Sequence, residues 1–228
     1  MAGGLPHPVL LVEEGFKLVG LPVPAHVAYA WFVMALLIFL GVMATRKLSM
    51  VPRGGQNFFE FVIGGLEDFV VANMGESGRK VFPFLCALFL FIISANVIGL
   101  FPGMDSPTNN VNTNAAMALT VFVYYNIWGV INWGPGYIKH FMGPFWWLAW
   151  LMFPIEIISH LARPLSLTLR LFGNIRGEEI VLILLFSLAP ILGTFPMYFL
   201  FGLADCIQAF VFFMLSMIYL KGAFEHAH

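Results

Sequence analysis

Uncharged apolar runs alternate with short polar or basic connections along most of the 228-residue chain. The first run, 27–45, has about the ~20 residues a helix needs to cross a ~30 Å hydrocarbon core, and it closes on Arg46 and Lys47. Residues 49–80 differ. There Phe58, Phe59, Phe61, Val62 and Leu66 share the segment with Glu60, Glu67, Asp68, Arg79 and Lys80, which predicts an amphipathic helix lying in the membrane interface. Two more uncharged runs, 81–101 and 115–133, predict the second and third spans. Between them Asp105, Pro107 and several asparagines predict a polar loop.

The last third divides less simply. A continuous helix over 145–188 would be about 66 Å long at 1.5 Å per residue, so it must tilt steeply or break. Pro154 and Pro164 are the candidate break points, because an interior proline removes a helix hydrogen bond. A turn over 190–196 and a helix over 196–220 complete a tilted hairpin. The predicted fold class is an all-α polytopic membrane protein: one membrane domain, five spans, one interfacial helix and the long C-terminal hairpin.

Composition agrees, with 60% hydrophobic residues, 10% charged residues and a mean hydropathy of +0.88. A net charge of -1 argues against nucleic-acid binding, which needs clustered Lys and Arg. Cys86 and Cys206 lie in apolar runs without metal-ligand spacing and read as small core residues. No cofactor or metal site is indicated. The first twenty residues carry Glu13 and Glu14 and lack a basic region followed by an apolar run, so they do not resemble a secretory signal. Trp133, Trp146, Trp147 and Trp150 read as an interfacial belt. Basic residues near span ends fall mainly on one side: Arg46, Lys47, Arg53, Arg79, Lys80, Lys139 and Lys221. By the positive-inside rule that side is cytoplasmic, with the N-terminus outside and the C-terminus inside.

The candidate chemistry lies in 163–179. A charge at the bilayer centre costs roughly 2.5–3.5 kcal/mol on insertion scales, so Arg170, set in apolar helix, needs a partner, a water-filled cavity or a task. Its guanidinium stays protonated, so it attracts carboxylates but relays no protons itself. Glu178 and Glu179, about 13 Å further along the helix, can take a proton from water, or can merely cap the interface beside Arg176. Asp205 is the only charged residue between positions 180 and 220.

The run Ser166-Leu-Thr-Leu-Arg170-Leu-Phe-Gly-Asn174, with acids at Glu178 and Glu179 and Gln208-Ala-Phe-Val-Phe on the last helix, resembles subunit a of rotary F-type ATP synthases of bacterial type. The resemblance covers most of the chain. It includes Asn96-Val-Ile-Gly-Leu-Phe-Pro102, Val111-Asn112, Ala116-Met117-Ala118-Leu119 and the approach from Glu156 to Pro164.

It implies a stator subunit of the bacterial plasma membrane. Its partners would be a rotating ring of c subunits, the b-subunit peripheral stalk and the remaining F1Fo subunits. Arg170 would face the ring carboxylate between two offset proton half-channels. A cation a few ångströms away lowers a carboxylate pKa by ~1–3 units and so drives release of its proton. A group that cannot titrate also blocks leakage between the half-channels, where one charge crossing 100 mV is worth ~2.3 kcal/mol. The subunit itself is then no enzyme, and nucleotide chemistry belongs to its partners.

The implied proton pathway takes in Asn174, Glu178, Glu179 and Gln208, and toward the cytoplasmic end Ser166, Glu156 and His160 with Arg163, for which a solvated interfacial role is the alternative. Two positions depart from the family pattern. Phe201 stands where many members have an acid or histidine, and Gly99 where some carry Asp. Counting outward from a turn near Leu192 brings Asp205 level with Glu179 and Gln208 level with 174–176, so Asp205 and Glu179 are expected to form an acid pair. The competing readings are a membrane ion channel or a secondary transporter using Arg170 and the acids, although no internal repeat supports the latter.

Overall fold

A computed structural model of the chain describes residues 17–18, 21–46, 55–101, 104–134, 149–189 and 193–224. Six α-helices fall among them: α1 (Ala25–Thr45), α2 (Gly55–Met74), α3 (Glu76–Gly99), α4 (Val111–Trp133), α5 (Ala149–Leu188) and α6 (Thr194–Phe224). A 3-10 turn, Pro107–Asn109, joins α3 to α4, and a two-residue antiparallel pairing of Lys17–Leu18 with Leu21–Pro22 precedes α1. α1, α3, α4 and α6 are long and apolar enough to cross a membrane. α5 has the length, but six Arg and Glu side chains interrupt its apolar surface.

The interfacial segment and the next span meet earlier than their composition predicts. The break comes at Gly75, whose φ of +65° lies in the left-handed region that glycine enters without a Cβ penalty. Residues 76–80 therefore begin α3. Arg79 bridges the elbow, 3.6 Å from Glu67 on α2 and 3.6 Å from Glu76 on its own helix. The two helices come close there, since a Cβ on Gly78 would stand 2.9 Å from Cγ1 of Val70. Residues 49–54 of the expected interfacial segment, and Trp146, Trp147 and Lys139, lie outside the described residues.

α5 continues through both Pro154 and Pro164 instead of breaking. At 1.5 Å per residue its 40 residues measure about 60 Å. In apolar surroundings a broken helix would strand several backbone groups, each costing more than the single bond a proline removes.

Two apolar clusters tie the helices together. One joins Leu66 and Val70 of α2 to Val81 and Leu85 of α3, Tyr125 of α4, and Phe213 and Met217 of α6. The other sets Leu167 and Leu171 of α5 against Ile92, Val121, Ala209 and Phe212, and so fixes α5 relative to α3, α4 and α6. α1 is attached mainly through Val33, against Ala95 and Ile98. Elsewhere large apolar side chains such as Ile38, Phe39, Leu184, Phe195 and Phe199 point outward, as a lipid-facing surface requires.

The α3–α4 connection is polar as expected, but it is not a surface loop. Ser106, Pro107 and Thr108 are buried. α4 starts at Val111, because the side chain of Asn110 caps it by accepting from the amide of Asn112 at 2.9 Å.

Candidate functional site

α5 has two unlike faces. His160, Leu167, Thr168, Leu171 and Ile175 recur at helical spacing and are buried against the other helices. On the other side Ser159, Ala162, Ser166, Arg170, Gly173 and Gly177 are all exposed, flanked by Leu161, Leu165, Leu169 and Ile180. A Cβ on Gly173 or Gly177 would meet nothing within 4 Å. Arg170 thus sits on an open face of small and apolar residues, and it has no hydrogen-bond or ion-pair partner among the described residues. Ser166 lies one turn away on the same face.

From Arg170 a polar line turns inward. Each step of four residues advances about 40° around a helix, so Asn174 lies about 40° and Glu178 about 80° from Arg170, toward the buried side. Asn174 Nδ2 donates to Glu178 Oε1 at 2.8 Å. Across the interface, Asp205 and Gln208 occupy the inner face of α6, with Asp205 only 2% exposed. Oδ1 of Asp205 and Nε2 of Gln208 are buried without a hydrogen-bond partner among the described residues.

The charge of Asp205 reaches Glu178 on α5. Leu167 and Leu171 of α5 share a buried cluster with Ala209 and Phe212 of α6, and from there the antiparallel helices carry Glu178 and Asp205 to neighbouring turns.

Glu179 points elsewhere, about 180° around α5 from Arg170. Its Oε2 accepts from Arg176 Nη1 and, at 3.1 Å, from Asn109 Nδ2 in the 3-10 turn. The same amide group donates to Asp105 Oδ1 at 3.2 Å. Behind it lies a buried polar node. Thr108 Oγ1 donates to Asn96 Oδ1 at 2.8 Å, Ser106 Oγ donates to the Ala95 carbonyl at 3.0 Å, and Asn114 Nδ2 donates to the Thr108 carbonyl at 2.7 Å. Asn110 contacts His26 of α1 at 3.2 Å.

From the sequence Asp105 and the asparagines around Asn109 read only as a polar loop, not as a buried node. The available signal was a cluster of asparagines between two apolar spans, where buried amides must find partners.

The two departures from the family pattern acquire a structural setting. Phe201 is buried in α6, one turn from Asp205. At Gly99 a Cβ would stand 2.6 Å from Cβ of Ser106, so the serine fills the space a side chain would need.

Nearer the N-terminal end of α5, Glu156, His160 and Arg163 come together. Glu156 Oε1 lies 3.8 Å from His160 Nδ1 and 4.0 Å from Arg163 Nη2. The Arg163 guanidinium stands over two tyrosine rings, Tyr125 of α4 at 5.9 Å and Tyr219 of α6 at 5.4 Å. His160 meets the Tyr125 ring at 5.3 Å between centroids.

Comparison with known proteins places this arrangement. A family model described as ATP synthase A chain matches residues 27–221. Over the full length of both chains the sequence is 76% identical to ATP synthase subunit a of Solidesulfovibrio magneticus and 64% identical to that of Nitratidesulfovibrio vulgaris. It is 50% identical to ATP synthase subunit a 1 of Pelobacter propionicus, covering 97% of this chain and 99% of the relative. With the family match running from the first apolar helix to the end of the last, the chain belongs to the ATP synthase subunit a family.

Proposed function

We propose that this chain is the membrane stator of a rotary F-type ATP synthase, supplying two offset proton half-channels and the cation that faces the ring carboxylate. The observation that carries this reading is Arg170. It is a permanent charge on an open helix face, without a hydrogen-bond or ion-pair partner among the described residues and bordered by Gly173 and Gly177 with free space before them. Left against lipid it would cost roughly 2.5–3.5 kcal/mol. A neighbouring helix that carries a carboxylate removes that cost, and the small residues Ser159, Ala162, Ser166, Gly173 and Gly177 let such a helix approach closely.

The partner is therefore a ring of small helical-hairpin c subunits, and the b-subunit stalk and the F1 subunits complete the assembly. α5 acts as a fifth, tilted span in the bacterial plasma membrane, with the N-terminus outside and the C-terminus cytoplasmic. Glu178, Glu179, Asp205, Asn174 and Gln208 lie on the outer approach to Arg170. Glu156 and His160, with Ser166 on the open face, lie on the cytoplasmic approach. A ring site arriving at Arg170 gives its proton to the cytoplasmic approach, takes another from the outer one and leaves through lipid as a neutral acid. The subunit performs no nucleotide chemistry. Family membership disfavours a self-contained channel or a secondary transporter.

The test uses the intact complex in vesicles. Arg170→Ala abolishes ATP-driven proton pumping while the ring still co-purifies. Pumping at the parental rate overturns the reading.

A further inference from the structure

We propose that His26 and Asn110 form a pH-sensitive fastening of α1: the contact holds only while the His26 imidazole is neutral, and acidification releases the start of α1 from the α3–α4 connection. The geometry stands apart from the stator reading, on which only the side of the membrane rests.

The fixed element is the orientation of the Asn110 amide. Its oxygen caps α4 by accepting from the amide of Asn112 at 2.9 Å, so its nitrogen is the atom that meets Nδ1 of His26, at 3.2 Å. Turning the amide over would set two N–H groups against each other at Asn112 and lose the cap. An amide nitrogen donates and does not accept, so Nδ1 of His26 presents its lone pair and the ring proton sits on Nε2. A second ring proton goes to Nδ1. Two donors then oppose each other and the hydrogen bond is lost. Histidine is the side chain that makes this change between about pH 5 and 8.

The bond matters because α1 is lightly held. Its buried side chains are Tyr29 and Val33, and Val33 packs against Ala95 and Ile98. His26 lies about two turns before Val33, at the start of the helix. An element with few buried contacts opens at low free energy, so a single hydrogen bond changes its opening measurably.

The surroundings leave the His26 ring to the amide. On α1 the neighbouring titratable group is the Tyr29 phenol, and Lys17 stands in the strand pair before the helix. The connection brings Asp105, held by Asn109, which also holds Glu179 of α5 beside Arg176. The charges of α3, Glu76, Arg79 and Lys80, lie at its opposite end, and α4 carries no Asp, Glu, Lys or Arg. With the N-terminus outside, His26 sits on the face that acidifies under a proton gradient, and α1 loosens as the gradient builds.

The experiment measures hydrogen exchange in the intact, detergent-purified complex at about pH 8 and about pH 5.5, on either side of the histidine range. Each rate is expressed against that of unstructured peptide at the same pH. The amides of Val27 and Ala28 bond to the Pro24 carbonyl, so the first turns have protection to lose. In the parent, protection over 27–33 should be about two- to tenfold lower at the acid pH, the size of one hydrogen bond, with 85–92 of α3 as the constant reference. His26→Asn puts an amide oxygen that cannot titrate where Nδ1 stood, and should give equal protection at both pH values. Asn110→Asp keeps an oxygen for the α4 cap but turns the atom facing His26 from donor into acceptor. The dependence should then reverse, with greater protection at the acid pH.

Equal protection in the parent at both pH values, a parental loss in His26→Asn, or a parental loss in Asn110→Asp overturns the proposal. Should His26→Asn assemble poorly, Asn110→Asp still decides, because lost packing does not reverse the sign of a pH dependence. None of these measurements reads pumping, so their failure is distinct from normal pumping by Arg170→Ala.

Discussion

The β-carbon that Gly99 lacks would stand 2.6 Å from Cβ of Ser106, nearer than two carbons approach without something moving. Ser106 cannot easily yield, because its hydroxyl is held 3.0 Å from the Ala95 carbonyl and 2.5 Å from the Thr108 hydroxyl. The α3–α4 connection thus packs against α3 and fills the space that a side chain at position 99 would need.

Gly99→Ala should therefore destabilise the protein by about 1–3 kcal/mol, the range for overpacking a filled site. Adding Ser106→Gly should recover part of the loss, because it removes the opposing carbon. Thermal unfolding of the purified complex in detergent measures both. A Gly99→Ala complex as stable as the parent would mean that the connection can move away.

Gly173 gives the opposite expectation. No described side chain lies within 4 Å of its missing β-carbon, and replacing an interior helix glycine gains about 0.5–1 kcal/mol of backbone entropy. Gly173→Leu should leave the chain at normal levels in the membrane, yet weaken ring co-purification and pumping by about tenfold, since a bulky side chain on this face keeps the neighbouring helix away. Undiminished pumping by Gly173→Leu would show that no partner closes on this face.

Arg163 clamps three helices by placing its guanidinium over Tyr125 and Tyr219 while facing Glu156. Stacking of this kind is worth about 0.5–2 kcal/mol depending on solvent exposure. Arg163→Ala should lower the thermal midpoint by an amount corresponding to roughly 1–2 kcal/mol, and Arg163→Lys should recover only part, because an ammonium lacks the planar face. Tyr219→Phe, which keeps the ring, should be close to neutral. Equal midpoints for Arg163→Ala and the parent would rule out the clamp.

Asn109 donates both to Asp105 and to Glu179, 70 residues further along the chain. Asn109→Leu leaves two carboxylates facing each other without the amide between them, at a cost of about 1–3 kcal/mol for hydrogen bonds to charged groups. Hydrogen exchange of the complex should then rise in the 107–109 turn and in the C-terminal half of α5 together. A rise confined to the turn would mean that the bridge does not couple the two.

Much of this protein is legible in one dimension. Runs such as 27–45 and 115–133 announce helices because apolar length and hydrogen-bond closure in lipid leave few alternatives, and both are local properties. The exposed charge at Arg170 is equally local, and so is the ordered set of motifs that gives the family.

What the residues by themselves did not settle is which groups meet. The elbow at Gly75 depends on one left-handed φ angle, and the burial of Ser106 and Thr108 depends on four helices closing around a polar turn. Glu178 and Glu179 are neighbours in sequence but differ by about 100° around the helix, so one meets Asn174 and the other Asn109. Counting from the turn fixes depth to within about a turn and leaves rotation open. Only the interdigitation of Leu167 and Leu171 with Ala209 and Phe212 sets that rotation, because side-chain volume admits one register where residue counting admits several.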